Sequence, residues 1–242
     1  MAGSSIKPLY KRIVLKLSGG AFSGPDIQGI HFKTVADNAD AVKEIVLMGV
    51  QVGVIVGGGN LWRGLEGNAM GINRSVSDYM GMLATVINAL AFQGVLENKG
   101  IQTRVLSAIE MREVAEPFIL RRAIRHLEKG RVVIFAAGTG NPFFTTDTAA
   151  ALRAVEIGAE ALLMAKNKVD GIYDADPNKE TLAIKYDEIT YNDVLMKTLG
   201  AMDSTAVSLS RDHKMKIIVF NGDDPGNIVK VVLGEKIGTS IK

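Results

Sequence analysis

The sequence predicts an α/β fold in which helices cover both faces of a mainly parallel central sheet, forming a three-layer α/β/α sandwich. Short runs of apolar, often β-branched residues recur along the 242-residue chain, and segments with helical spacing separate them. Uninterrupted apolar strands are typical of parallel strands buried on both faces. Apolar residues make up 47% of the chain, which supports a sizeable core and argues against disorder. We expect one domain over residues 1–242, with a flexible N-terminus at about residues 1–8.

The first half of the chain alternates strands with helices. Arg12–Leu17 is predicted as a buried strand that ends in a Ser-Gly-Gly turn, and the following apolar residues at helical spacing predict a helix that ends near Gly49. Gln51–Val56 is predicted as a second buried strand that runs into the glycines of residues 57–59. A helix over residues 76–97 and a strand over residues 103–106 follow.

The second half continues the alternation with one interruption. We predict a helix over residues 117–129, because Pro117 is favoured near a helix start and Gly130 after a helix end. Strands are predicted at Val132–Ala136, 161–165 and 216–220, and helices at 149–157 and 228–233. The polar, turn-rich segment 171–187 predicts an excursion or a small hairpin.

Four predicted strands end in glycine-rich or polar segments, at residues 18–20, 57–64, 138–147 and 166–176. Ligands of open α/β sheets bind at the carboxyl ends of the strands. One such segment is common in any α/β protein, whereas four together predict a composite site around one ligand-filled crevice.

Composition excludes several function classes. The formal net charge of +2 gives no reason to expect nucleic acid as a partner. The absence of cysteine excludes disulfides and thiolate catalysis, and with three histidines we predict no protein-ligated metal site. The first seven residues have no apolar signal segment, and the apolar stretch 45–56 is too short to cross a bilayer. We therefore expect a cytoplasmic protein without a membrane partner.

Two features predict phosphate binding. Gly57-Gly58-Gly59-Asn60 lies between a strand and an expected helix, where backbone N–H groups attract anions, and Arg63 nearby offers a planar cation for phosphate oxygens. The alternative is a plain flexible turn. Lys16 interrupts an apolar strand, where its charge is costly unless it meets an anion; the alternative is a lysine that reaches solvent at the strand end. Neither a Walker motif nor a dinucleotide-binding glycine motif is present, which disfavours both of those enzyme classes.

The segment 138–147, Gly-Thr-Gly-Asn-Pro-Phe-Phe-Thr-Thr-Asp, has the aromatic faces and polar groups that a nucleobase pocket needs. Its hydroxyls and Asp147, at a predicted N-cap position, also suit the start of the next helix. Asp78 and Asp203 each lie near a predicted helix start, where a carboxylate is favourable through capping or the dipole alone. Asp78 is in addition a candidate acceptor for a ribose diol. The Asp-rich segment 170–177 lacks the spacing of a calcium loop.

Taken in order, these motifs resemble bacterial uridylate kinases, a branch of the amino acid kinase superfamily. The matching segments are Lys16-Leu17-Ser18-Gly19, 57–64, 78–83, 138–147, Val169-Asp170-Gly171 and Met202-Asp203, and the resemblance spans residues 10–241. It implies the amino acid kinase fold and transfer of a phosphoryl group from ATP to UMP, without a covalent intermediate and with Mg²⁺ carried by ATP.

The resemblance also implies a role for individual residues. The implied catalytic residues are Lys16, Arg63, Asp147 and Asp203, with Asp203 orienting the lysine. ATP is implied to contact Lys16, Leu17, Ser18, Gly19, Gly59, Arg63, Asn167, Tyr173 and Asp176. UMP is implied to contact Gly58, Asp78, Thr139, Gly140, Asn141, Pro142, Phe143, Phe144, Thr145 and Thr146.

For regulation and assembly, the sequence matches the family at some positions and departs from it at others. The family is often hexameric and activated by GTP, so we expect a homohexamer with Arg104 and Arg131 as candidate GTP contacts and UTP as a candidate inhibitor. Gln93 and Glu97 do not match the basic residues of some members, and segment 24–29 is atypical. Gly20 replaces a glutamate that is usual in the family.

Two other readings of the sequence stay open. The chain could be a superfamily kinase that acts on a small acid such as aspartate or acetylglutamate, although segment 138–147 and Asp78 suit a nucleotide better. It could also be a sensor that binds nucleotide without turnover, against which the presence of both Lys16 and Asp203 argues.

Overall fold

The computed structural model describes residues 7–24, 28–64, 67, 70–177, 179–180, 182–197, 199–200 and 202–242. Most of the predicted flexible N-terminus, residues 1–6, therefore lies outside the described residues. So do residues 25–27 of the atypical segment 24–29.

A nine-stranded sheet forms the centre of the described chain, in the order β4-β3-β5-β2-β1-β6-β10-β11-β9. Its neighbouring strands are parallel except for the β10–β11 pair. A separate antiparallel hairpin of β7 and β8 lies in the segment predicted as an excursion. The strands are β1 (Arg12–Leu17), β2 (Gln51–Val56), β3 (Thr103–Ser107), β4 (Glu116–Pro117), β5 (Val132–Ala136), β6 (Ala161–Lys166), β7 (Ile172–Tyr173), β8 (Lys185–Tyr186), β9 (Glu188–Ile189), β10 (Ile217–Asn221) and β11 (Thr239–Ile241).

Helices cover both faces of the sheet. One core lies between the sheet and helices α1, α2 and α7, and a second core lies between the opposite face and helices α3 to α6. Alternation along β1 separates the two cores, because Leu15 and Leu17 belong to the first and Val14 to the second. The predicted three-layer sandwich is confirmed. The helices are α1 (Phe32–Leu47), α2 (Arg74–Asn98), α3 (Leu120–Glu128), α4 (Thr146–Glu156), α5 (Tyr191–Met196), α6 (Ser204–Asp212) and α7 (Gly226–Val232).

Most predicted elements are confirmed within a few residues, but two predictions need correction. The helix predicted over 117–129 begins at Leu120, and Pro117 lies in β4, at the sheet edge, where its missing N–H group costs little. Asp147 is not an N-cap residue: α4 starts at Thr146, and its N-cap Thr145 accepts a hydrogen bond from the Asp147 amide. Of the residues where the helix after the glycine run is expected, 65, 66, 68 and 69 lie outside the described chain.

Helix α2 is long and apolar enough to cross a membrane by length and composition alone, with a mean hydropathy of 1.5 in its most apolar window. A core helix of a compact domain passes the same test. Its buried face packs against α1 and strands β2, β3 and β5, and it contributes Phe92 and Leu96 to the first core. We therefore interpret α2 as a core helix.

Candidate functional site

The four segments predicted to share a site follow strands β5, β2, β1 and β6, which are consecutive neighbours in the sheet. Their carboxyl ends lie at one edge because these strands are parallel to one another. The predicted composite arrangement is therefore present, and the sheet order explains it.

A buried ionic cluster joins two of these strands to helix α4. The ammonium nitrogen of Lys16 lies 2.9 Å from Asp147 Oδ1, and that of Lys166 lies 3.0 Å from Asp147 Oδ2. The side chains of Lys16, Lys166 and Asp147 are 7%, 21% and 11% exposed. Lys16 thus does not reach out to solvent; its charge is held inside the fold beside Asp147.

The two lysines determine the charge state of Asp147. Burial by itself would raise the pKa of this carboxyl group, but the charges of Lys16 and Lys166 and their hydrogen bonds hold the pKa below the ordinary value of 3.8. Asp147 is therefore ionised at neutral pH, as a partner for two cations must be.

Asp203 does not contact Lys16 within the described chain and has a different set of partners. It is the N-cap of α6 and accepts a hydrogen bond of 2.8 Å from the Ala206 amide. Its carboxylate also accepts hydrogen bonds from the hydroxyls of Thr145 and Thr148, which belong to the start of α4. Asp147 therefore holds the lysine. Asp203 joins the start of α6 to the start of α4, the helix that carries Asp147.

The glycine run approaches the first strand turn closely. A Cβ on Gly19 would lie 2.6 Å from the Gly59 amide nitrogen, so a side chain there would push the two loops apart. Within the described chain the amides of Gly58, Gly59 and Asn60 donate to no protein acceptor. Free N–H groups that converge in this way are suited to bind an anion.

A cleft of about 830 Å³ opens between these loops. Arg63 stands at its mouth, and its guanidinium donates to the Gly59 carbonyl at 3.2 Å. Leu17 is buried and can offer only its backbone at the strand end. Six of the predicted ATP contacts line the cleft: Lys16, Ser18, Gly19, Gly59, Arg63 and Asn167. Three residues that were not predicted also line it: Lys166, Lys168 and Asp223.

A smaller cavity of about 150 Å³ lies on the other side of the glycine run, against α2. Asp78 lines it, accepts a hydrogen bond of 2.8 Å from the Phe143 amide and pairs with Arg74. The predicted UMP contacts that also line this cavity are Gly58, Thr139, Phe144, Thr145 and Thr146.

Gly140, Asn141, Pro142 and Phe143 form the outer turn of the same loop. Phe143 has a φ of 72° and is 66% exposed, and the Arg74 guanidinium lies over its ring, 5.9 Å from the ring centre. Ala137, at the root of the loop, has a φ of 61°, and its amide is held by the Thr85 hydroxyl of α2 at 2.9 Å. Strained backbone of this kind persists where surrounding contacts fix it, which is common at ligand sites.

A third cavity, of about 430 Å³, contains Tyr173 and Asp176 beside the β7–β8 hairpin. The Tyr173 hydroxyl donates to Asp170 at 2.6 Å, which lowers the pKa of Asp170 and raises that of Tyr173. Among the implied ATP contacts, Asn167 lies in the large cleft, whereas Tyr173 and Asp176 line this third cavity.

The family model described as the amino acid kinase family matches residues 11–221. The chain belongs to the amino acid kinase family. It is similar to the UMP kinase of Bacillus anthracis, with 40% identity, 96% of each chain covered and a TM-score of 0.93. It is also similar to the UMP kinase of Ureaplasma parvum, with 39% identity over 96% of this chain and 98% of that one and a TM-score of 0.91. The uridylate kinase of Archaeoglobus fulgidus matches with 30% identity over 95% of this chain and 99% of that one, at a TM-score of 0.75.

In this member of the amino acid kinase family, the Asn167 side chain takes the space beside Gly20. A Cβ on Gly20 would lie 2.7 Å from Asn167 Oδ1. That oxygen accepts a hydrogen bond from the Ser18 hydroxyl, and the Asn167 amide donates to Asp223 at 2.6 Å. A glutamate at position 20 would require Asn167 to move.

The two candidate effector arginines of this amino acid kinase lie apart from the cleft, on β3 and just before β5. Arg104 pairs with Glu97 at 3.5 Å and with Glu116 at 3.8 Å. Arg131 donates to Gln102 at 3.1 Å. Both cations already have protein partners that an anionic effector would have to displace.

Sequence reasoning missed two parts of this family site. Lys166 ends the apolar strand β6, much as Lys16 interrupts the apolar strand β1. This similarity between the two lysines could have indicated from the sequence that Lys166 belongs to the site. Asn88 donates to the Gly57 carbonyl and to Asn60 Oδ1, both at 2.7 Å. A polar residue within the apolar face of α2 was the only hint of that contact.

Proposed function

We propose that this chain is a UMP kinase, which transfers the γ-phosphoryl group of ATP to UMP and forms ADP and UDP for pyrimidine nucleotide biosynthesis. The observation that carries the proposal is the position of Gly59, which lines both the large cleft and the Asp78 cavity. A Cβ at Gly59 would meet nothing within 4 Å, so the passage beside it is open. Donor and acceptor phosphates can meet across this glycine.

ATP would occupy the large cleft. Its phosphates would contact the free amides near Gly19 and Gly59 and the charges of Lys16 and Arg63. Mg²⁺ would arrive on the nucleotide as part of the substrate and neutralise phosphate charge. In the described part of the chain no group of three or more acidic or histidine residues is placed to hold a metal.

UMP would occupy the Asp78 cavity. Asp78 offers carboxylate oxygens to the ribose hydroxyls, and the exposed rings of Phe143 and Phe144 suit stacking on a base. The two bacterial relatives at 39% and 40% identity are UMP kinases, which supports this acceptor.

The chemistry needs no covalent intermediate. A phosphate oxygen of UMP forms a bond to the γ-phosphorus, and the bond from that phosphorus to the bridging oxygen of ADP breaks with its electron pair left on ADP. Lys16 and Arg63 would stabilise the charge of the transferring group, and the loops would hold the reactants in line.

A coupled assay of ADP release from Mg-ATP tests the proposal, with UMP, CMP, aspartate and acetylglutamate as separate acceptors. We expect release with UMP. Release with only an amino acid would overturn the proposal in favour of an amino acid kinase, and tight UMP binding without any release would favour a sensor.

We also propose that the enzyme is a homohexamer. Val76, Tyr79, Leu83, Ile87 and Leu90 recur at helical spacing along α2 and are 36–53% exposed, which leaves a continuous apolar stripe. Self-association would bury this stripe. Sedimentation velocity should show one species near six times the 25.9 kDa chain mass, whereas a monomer at all concentrations would refute the assembly.

We propose that GTP activates the enzyme at Arg104 and Arg131 and that UTP inhibits it. We also propose that the enzyme is located in the cytoplasm, where these nucleotides are found. The two arginines offer the charge for a triphosphate once Glu97 and Glu116 release Arg104. Initial rates with UMP should rise with GTP and fall with UTP. A rate that GTP leaves unchanged at all UMP concentrations would exclude activation.

A further inference from the structure

Lys166 lies on the same side of the sheet as Lys16, although the two residues belong to different strands. In the β1–β6 pair Lys16 is opposite Met164. Side chains alternate along a strand, so Lys166, two residues after Met164, faces the same way. Both ammonium groups thus meet the start of α4, where Asp147 lies between them.

Within ion-pairing distance the charges of this cluster do not balance, although Asp203 also acts on Lys166 from farther away. Two lysines face one carboxylate, and in the described part of the chain Asp147 is the single carboxylate ion-paired with each of them. Each ammonium group has three donors, so donors of both remain for a ligand. Both residues line the large cleft, together with the open position at Gly59. A buried surplus of positive charge is costly unless an anion meets it.

The fold holds Lys166 in a position where burial disfavours its charged form. Burial lowers its pKa from the ordinary value of 10.5, and the neighbouring Lys16 lowers it further, although Asp147 and, more weakly, Asp203 act in the opposite direction. A lysine needed only to neutralise Asp147 would be redundant, because Lys16 already does so at 2.9 Å.

We propose that Lys166 is a second catalytic lysine, whose ammonium group binds the γ-phosphoryl group of the donor nucleotide during its transfer. This inference rests on the proposed function of the same site. Lys166 donates hydrogen bonds and supplies charge, and no proton leaves it. The new bond joins the UMP oxygen to phosphorus, and the electron pair of the broken bond stays on ADP. Lys16 and Lys166 would contact the transferring group from either side of Asp147.

The first test compares Lys166→Met and Lys166→Arg with Lys11→Met. Lys11 is an exposed lysine at the opposite end of β1, so its variant is a matched control. We expect kcat with UMP to fall roughly a hundredfold in Lys166→Met, as for loss of one electrostatic donor, with recovery of part of the loss in Lys166→Arg. Wild-type kcat in Lys166→Met would overturn the inference while leaving UMP kinase activity established.

The second test separates catalysis from a counter-ion role. If Lys166 served only to neutralise Asp147, its loss would matter little once Asp147 is neutral, so Lys166→Met/Asp147→Asn would be as active as Asp147→Asn. We expect the double variant to be clearly less active than Asp147→Asn, because the missing contact would be to phosphate. Equal activity of these two variants would overturn the inference.

A third measurement does not depend on UMP turnover. Calorimetric titration with a non-hydrolysable ATP analogue and with ADP isolates the contribution of the γ-phosphate. Lys166→Met should weaken binding of the analogue about tenfold or more, the usual size for a charged hydrogen bond, and ADP binding much less. Equal affinities of Lys166→Met and wild type for the analogue would overturn the inference even if the wild type proved inactive with UMP.

Discussion

At the scale of single residues, the site depends on how Asp147 is shared between two lysines from neighbouring strands. One lysine would neutralise the Asp147 carboxylate, so the second lysine leaves a surplus of positive charge within ion-pairing distance. The sign of that surplus matches a phosphate ligand, and the low exposure of Lys16 protects it from screening by salt.

The depressed pKa of Asp147 predicts an acid-sensitive contribution to stability. Its folded pKa lies below the ordinary 3.8, so the unfolded chain takes up the proton first as the pH falls. The stabilisation is therefore complete above the unfolded pKa and is lost as the pH falls through the folded value. Urea unfolding at a series of acidic pH values should show a steeper loss for wild type than for Asp147→Asn. Parallel curves would contradict this account.

Lys16 is predicted to act on turnover. Lys16→Ala should lower kcat by at least about a hundredfold, because a fixed cation beside the transferring group is lost. Initial-rate measurements at saturating UMP and Mg-ATP give this value, with Lys11→Ala as the control. An unchanged kcat would mean that Lys16 is only structural.

Asp78 is predicted to act on the acceptor. It both lines the smaller cavity and fixes the Phe143 amide at 2.8 Å. Asp78→Asn should raise the Kd of UMP about tenfold, the size expected for loss of a charged hydrogen bond, with little change for ATP. Isothermal titration with each nucleotide measures both. Equal weakening would point instead to a defect in α2.

At the scale of elements, α2 holds the glycine loop through a buried pair of amides. Asn88 and Asn60 exchange hydrogen bonds, and Asn88 also donates to Gly57. Asn88→Ala should lower the free energy of unfolding by about 1–3 kcal/mol, because Asn60 and the Gly57 carbonyl are left without these partners. Urea denaturation measures the loss. Asn98→Ala, at the exposed end of the same helix, is the control, and equal stability of the two variants would refute this role.

The sequence predicted the strands of this fold well because each is an apolar run that ends in glycine or polar residues. It placed the site for the same reason, since four such ends meet in a parallel sheet. It mispredicted Pro117, whose edge position depends on pairing with β3 across the fold. The resemblance implied that Asp203 orients Lys16 and counted Asp147 among the catalytic residues, whereas the ion pair of Lys16 is with Asp147. Which of these two carboxylates reaches Lys16 depends on how α4 and α6 pack on the sheet. Local sequence carries no record of that packing.

At the scale of the whole molecule, the exposed stripe of α2 bears on assembly. Leu83 lies at its centre and is 50% exposed. Leu83→Glu should dissociate the proposed oligomer, because a charge would be buried in an apolar contact, without changing the fold of the protomer. Sedimentation velocity together with circular dichroism checks both. Leu47→Glu, which replaces an exposed leucine at the end of α1, should leave the assembly intact. An oligomer that survives Leu83→Glu would exclude this face.

The position of α2 has one more consequence. The helix carries Asp78 at the acceptor cavity, Thr85 under the Ala137 amide and Asn88 under the glycine run, while its outer face carries the apolar stripe. Helix α2 is therefore attached to the loops of the site at three points. A small rotation of α2, driven by whatever packs on its outer face, would displace both nucleotide loops in step. In the proposed oligomer, neighbouring protomers would in this way set the distance between the donor and acceptor phosphates without touching either nucleotide.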